Sequence, residues 1–131
     1  MILLKLLHID DNKQILEPFE FYFDMNDNVD YTSCDDPVEG LKLIKEGKFD
    51  AVLLDLAMPK MSGYEIIDRL QQCGDIEKQK IIVFSASNQG TDEIEELKSK
   101  GVHSFIAKTT PINEILTHVN NSIGVMNVTT Y

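Results

Sequence analysis

The strongest constraint on this chain is a strict alternation of two patterns. Short apolar runs at residues 2–9, 29–33, 51–54, 81–84 and 102–106 are each followed by a longer segment with helical apolar spacing. Ile15, Leu16, Phe19 and Phe23 follow the first run, and Val38, Leu41, Leu43 and Ile44 the second. Ile66, Ile67 and Leu70 follow the third, Ile94 and Leu97 the fourth, and Ile112, Ile115, Leu116 and Val119 the fifth. Strands separated by helices are joined by crossovers, so they lie parallel and carry helices on both faces. The expected architecture is α/β: a doubly wound, five-stranded parallel sheet with five helices in three α/β/α layers. Residues 1–123 form this domain, and residues 124–131 read as a tail.

Local signals agree with the alternation. Asp36-Pro37 supplies an N-cap followed by a proline in the first turn, and Gly47 ends that helix. Residues 51–54 are apolar without interruption, as expected of a strand covered on both faces. Pro18 falls inside the first helix and predicts a kink or a lost hydrogen bond there.

Composition narrows the function classes. The 131 residues carry 22 acidic against 12 basic side chains, a net charge of −10, which disfavours binding to a nucleic-acid backbone. The apolar start is too short to span a bilayer and lacks a small-residue cleavage site, so no membrane insertion is expected. Cys34 and Cys73 lie far apart and without metal spacing, as free thiols do in a reducing, cytoplasmic setting.

In such a sheet, ligands bind beyond the carboxyl ends of the strands, where strand order reverses. Asp10 and Asp11 follow the first strand, Asp55 the third, Ser85 the fourth and Lys108 the fifth. A reversal between the first and third strands gathers the three acids at one rim. They cannot all remain ionised without cations, and Lys108 supplies one positive charge. A hard divalent ion with oxygen ligands completes the balance: Mg²⁺, or Mn²⁺ in its place. Asp55, at the end of the most apolar strand, is then suited to take up a phosphoryl group, with Ser85 donating a hydrogen bond to it. His8, His103 and His118 are scattered over two strands and a helix, so a phosphohistidine site is not expected.

The residues at these positions resemble the receiver domains of two-component response regulators, of the chemotaxis-regulator type. The likeness runs from Ile2 to about Ile123. It rests on His8-Ile9-Asp10-Asp11-Asn12, on Asp55-Leu56-Ala57-Met58-Pro59-Lys60-Met61-Ser62-Gly63, on Val83-Phe84-Ser85-Ala86-Ser87 and on Phe105-Ile106-Ala107-Lys108. The resemblance implies the flavodoxin-like strand order 2-1-3-4-5. It further implies phosphorylation of Asp55 by a sensor histidine kinase or phosphotransfer protein, and a metal bound by Asp10, Asp11, Asp55 and the Ala57 carbonyl. Ser85 and Phe105 become the switch pair and Lys108 the phosphoryl-contacting cation. Such a chain is a phosphorelay switch rather than a turnover enzyme. With no room for an output domain in 131 residues, it would act alone on an unknown downstream protein. The alternative is a receiver-like module that docks partners without phosphorylation.

One position departs from the family pattern. The family places proline after the lysine in a cis peptide, whereas this chain has Thr109, with Pro111 later. A cis bond before a non-proline residue costs about 2.5–4 kcal/mol. Two outcomes are expected: a trans bond with a reshaped loop, or a strained cis bond held by packing. Ala57 and Ser87 occupy the positions that tune phosphoryl lifetime in the family, and both are small.

Overall fold

The computed structural model describes residues 3–26, 28–86 and 89–124. Ile2, Ser87 and residues 125–131 of the expected tail lie outside them. Among the described residues, β1 (Leu4–Ile9), β2 (Val29–Cys34), β3 (Ala51–Leu54), β4 (Lys80–Ser85) and β5 (Ser104–Ala107) alternate with five helices. These are α1 (Lys13–Asp24), α2 (Pro37–Glu46), α3 (Gly63–Gln72), α4 (Thr91–Lys100) and α5 (Ile112–Ile123). All pairings are parallel, in the order β2-β1-β3-β4-β5. The reversal therefore falls at β1 and β3, the order that the family resemblance implies.

Strand alternation divides the core into two layers. Leu7, Ile9, Val52, Leu54, Ile81 and Val83 face one way, onto Leu41 and Ile44 of α2, Ile66, Ile67 and Leu70 of α3, and Leu97 of α4. Leu4, Leu6, Leu53, Ile82, Phe84 and Ile106 face the other way, onto Phe19 and Phe23 of α1 and Ile115 and Val119 of α5. Both faces of β3 are covered, and its four residues are fully buried.

Side chains cap three of the helices. Asn12 accepts from the Gln14 amide at 2.9 Å, Asp36 from Val38 at 3.1 Å and Ser62 from Glu65 at 3.2 Å. Gly47 ends α2 in the left-handed region, φ 73°, which favours glycine. The first helix is continuous through Pro18, which sits on its exposed face. Proline has no amide proton, so the Gln14 carbonyl loses its helical donor there. The boundaries of β5 differ from the sequence expectation: the strand starts at Ser104 because pairing with β4 begins at Ser104 opposite Ile82.

Gly63 opens α3 hard against the end of β3. Its amide donates to the Leu56 carbonyl at 2.9 Å, and an added Cβ would collide with the Asp55 carbonyl and approach Leu56 Cα at 2.8 Å. Backbone cannot swing aside as a side chain can. Gly63→Ala is therefore expected to destabilise the protein by about 1–3 kcal/mol and to displace Asp55. A chemical denaturation series measures the first effect, and an unchanged midpoint contradicts it.

Candidate functional site

Backbone register alone brings the polar residues together. Ile9 lies opposite Leu54, so the next residues outward, Asp10 and Asp55, are neighbours at the same rim. The ladder continues into them: the Asp55 amide donates to the Ile9 carbonyl at 3.0 Å, and the Asp10 amide to Cys34 at 3.1 Å. Ser85 lies opposite Ala107, and the Lys108 amide donates to the Ser85 carbonyl at 3.0 Å. Side chains at this rim are thus held by strand ends rather than by loops.

Lys108 Nζ lies 2.7 Å from Asp10 Oδ2 and 3.3 Å from Asp55 Oδ1. Asp10 is wholly buried, and its other oxygen accepts from the Asn12 amide at 2.9 Å. Its Oδ2 receives no well-directed hydrogen bond, so the ammonium acts there as a charge partner. Burial pushes the Asp55 carboxyl above its ordinary range, the Asp10 charge adds to this, and Lys108 opposes both. Burial alone lowers the Lys108 pKa, but Asp10 and then Asp55 outweigh it and hold the ammonium above its ordinary value.

Asp10, Asp11 and Asp55 each present an oxygen within 4.8 Å of the others, with Asp11 exposed to solvent. Lys108 leaves two of their negative charges uncompensated, which matches the charge of one divalent ion. An all-oxygen donor set of this kind fits Mg²⁺, which keeps part of its water shell when protein-bound. The residues present therefore fit the ion.

The remaining expected positions lie around this centre. Ser85 is buried at the end of β4, and its Oγ accepts from Gln89 Nε2 at 3.3 Å. Ala57 is exposed, and its amide approaches Asp55 Oδ1 at 3.4 Å. Phe105, opposite Val83, is half-buried against the layer under α2, α3 and α4, on the same sheet face as Ser85. The Lys108–Thr109 peptide is trans, since no described peptide is cis, and Lys108 still reaches both acids without a following proline.

Sequence reading missed two features here. His8 is wholly buried two residues before Asp10, with Nδ1 2.8 Å from the Tyr31 hydroxyl and its ring edge-on to Phe19 and Phe84. An apolar strand with one histidine gave no sign of that aromatic surround. The second is a correction: His103 and His118 are not scattered, since both lie against Ser104. Both free cysteines remain unpaired, Cys34 buried and Cys73 exposed. No helix among the described residues is long and apolar enough to cross a membrane.

A doubly wound sheet with a lysine-bridged carboxylate cluster at its reversal point defines a receiver-type signalling domain. The chain belongs to the response regulator receiver domain family, which it matches over residues 6–120. It is 31% identical over 117 residues to the transcriptional regulatory protein DltR of Streptococcus agalactiae, covering 88% of this chain and 50% of the relative. Likewise, it is 32% identical over 123 residues to the response regulator SaeR of Staphylococcus epidermidis, covering 92% and 51%. The chain thus spans about half the length of these relatives. Among solved structures, the receiver domain of the Francisella response regulator 1452 superposes with a TM-score of 0.78 at 26% identity, covering 93% of this chain and 98% of that one. The Vibrio cholerae chemotaxis protein CheY4 shares the fold, with a TM-score of 0.76 at 18% identity over 92% and 99% of the two chains.

Proposed function

We propose that this receiver accepts a phosphoryl group on Asp55 from a sensor histidine kinase or phosphotransfer protein, in the cytoplasm, with Mg²⁺ bound by Asp10, Asp11, Asp55 and the Ala57 carbonyl. One observation carries the reading: a single ammonium, Lys108 Nζ, lies between the buried Asp10 and Asp55 at 2.7 and 3.3 Å, where strand order reverses. A lone pair of the Asp55 carboxylate forms the new bond to phosphorus. The donor's phosphorus–nitrogen bond breaks, and its electron pair returns to the donor imidazole. An acyl phosphate is left on Asp55. Lys108 is placed to lie against the negative oxygens of the transferring group, and Ser85 to donate its hydroxyl proton to one of them. Bound Mg²⁺ supplies further neutralisation of that charge.

On this reading the protein is a switch, not a turnover enzyme. Drawing Ser85 toward the phosphoryl group frees space on the sheet face it shares with Phe105, whose inward movement changes the surface offered to a downstream protein. The chain would signal through that contact. Incubation with acetyl phosphate and Mg²⁺, followed by intact mass measurement, tests the chemistry. One phosphoryl mass is expected on the wild type and none on Asp55→Asn or in chelator. Equal labelling of wild type and Asp55→Asn contradicts the assignment, and no labelling of either supports the phosphorylation-independent module.

A further inference from the structure

Far from the acidic rim, two imidazoles converge on one oxygen. His103 directly precedes the edge strand β5, Ser104 is its first residue, and His118 lies on α5. His103 Nδ1 stands 3.1 Å from Ser104 Oγ, and His118 Nε2 stands 2.8 Å from the same oxygen. The two nitrogens therefore lie within two hydrogen-bond lengths of each other. A cavity of about 350 Å³ opens over them, completed by Asn121 and Ser122.

The hydroxyl has one proton, so it can donate to only one of the two rings. The other ring must turn its own N–H toward the oxygen, or hold its lone pair against it. Partial desolvation, and then the charges of Lys80, His118 and Lys98, lower the pKa of the exposed His103 and disfavour its imidazolium form. The lining has no carboxylate. Neutral imidazole nitrogens with one hydroxyl suit borderline transition metals and are poor ligands for Mg²⁺ or Ca²⁺.

We infer that His103, Ser104 and His118 form a second cation site, chemically distinct from the acidic rim, which takes a Zn²⁺-class ion between β5 and α5. The two imidazole nitrogens that face Ser104 Oγ supply the principal ligands in place of that contact, the hydroxyl moves aside to let the ion in, and water fills the remaining positions. An ion bound there joins the start of the strand that carries Phe105 to the helix that follows Lys108.

Calorimetric titration of the full chain with Zn²⁺ tests this, with Mg²⁺ saturating the rim and Cys73→Ser removing the exposed thiol. One equivalent is expected to bind. Affinity should fall by more than about tenfold in His103→Ala and in His118→Ala, because losing a ligand exceeds the roughly 10–100-fold effect of disturbing an outer-shell partner. It should be unchanged in Asp11→Asn. Zinc binding that survives both histidine variants, or is lost with Asp11→Asn, overturns the site. A second readout needs no histidine variant: Ni²⁺ added to the Mg²⁺-saturated chain should broaden the His103 and His118 ring resonances together and spare His8. Broadening of neither ring, or of only one, also overturns it.

Discussion

Replacing Lys108 by alanine is expected to cost about 3–5 kcal/mol of folding stability in chelator, the usual consequence of leaving a buried charge without its partner. Asp10 is fully buried and Asp55 is 4% exposed, so water cannot take over from the ammonium. Asp55 already ionises less readily than a free carboxyl, through burial and then through Asp10. Removing Lys108 raises it further. A carboxyl raised in the folded state is ionised first in the unfolded chain, so its contribution to stability falls as pH climbs through the carboxylate range. The variant's loss should therefore be largest at neutral and alkaline pH and smallest in acid. A divalent ion that binds only the folded chain stabilises it by mass action, and the variant leaves more negative charge for that ion to neutralise. Adding Mg²⁺ should thus raise the variant's unfolding midpoint more than that of the wild type. A loss below about 1 kcal/mol, typical of an exposed ion pair, would contradict this picture of a buried bridge.

The second large effect concerns His8. Burial first, and then the Lys108 charge, lowers its pKa from 6.5 to about 3. The unfolded chain therefore takes up a proton below pH 6.5 that the folded chain refuses. Stability linked to this group is fully present above pH 6.5 and is lost as pH falls toward about 3, a total on the order of 5 kcal/mol. Carboxylates titrate in part of the same window, so the informative quantity is a difference. His8→Leu keeps an apolar side chain among Phe19, Tyr31 and Phe84 and removes the titration. The stability gap between wild type and variant should shift by about 3 kcal/mol in the variant's favour from pH 7 to pH 4. Parallel stability curves across that range would show that His8 accepts its proton in the folded protein.

The parts of this structure legible in the sequence are those fixed over short distances. Asp36-Pro37 announces the start of α2 because a cap needs only its own turn, and the capping bond to Val38 forms as read. Residues 51–54 read as a doubly covered strand because every position is apolar. The rim assembles from similarly local placement, since each polar residue ends a strand or follows one closely, in the strand order that the resemblance implies. Features set by long-range placement were not legible. The start of β5 depends on pairing with β4, so the apolar Val102 reads as strand although pairing begins at Ser104. The surround of His8 comes from α1, β2 and β4 together. The meeting of His103 with His118 depends on how α5 is rotated against the edge strand, which helical spacing alone does not reveal. At Thr109, local chemistry left two conformations open, and the trans form proves compatible with Lys108 reaching the acids.

The central claim is that Asp55, alone among the clustered acids, carries the phosphoryl group. An acyl phosphate is reduced by borohydride to an alcohol, which converts that aspartate to homoserine and marks its position permanently. After treatment with acetyl phosphate and Mg²⁺, reduction and peptide mass mapping should find homoserine at position 55 and aspartate at positions 10 and 11. Homoserine at position 10 or 11, or at none of the three, would contradict the account.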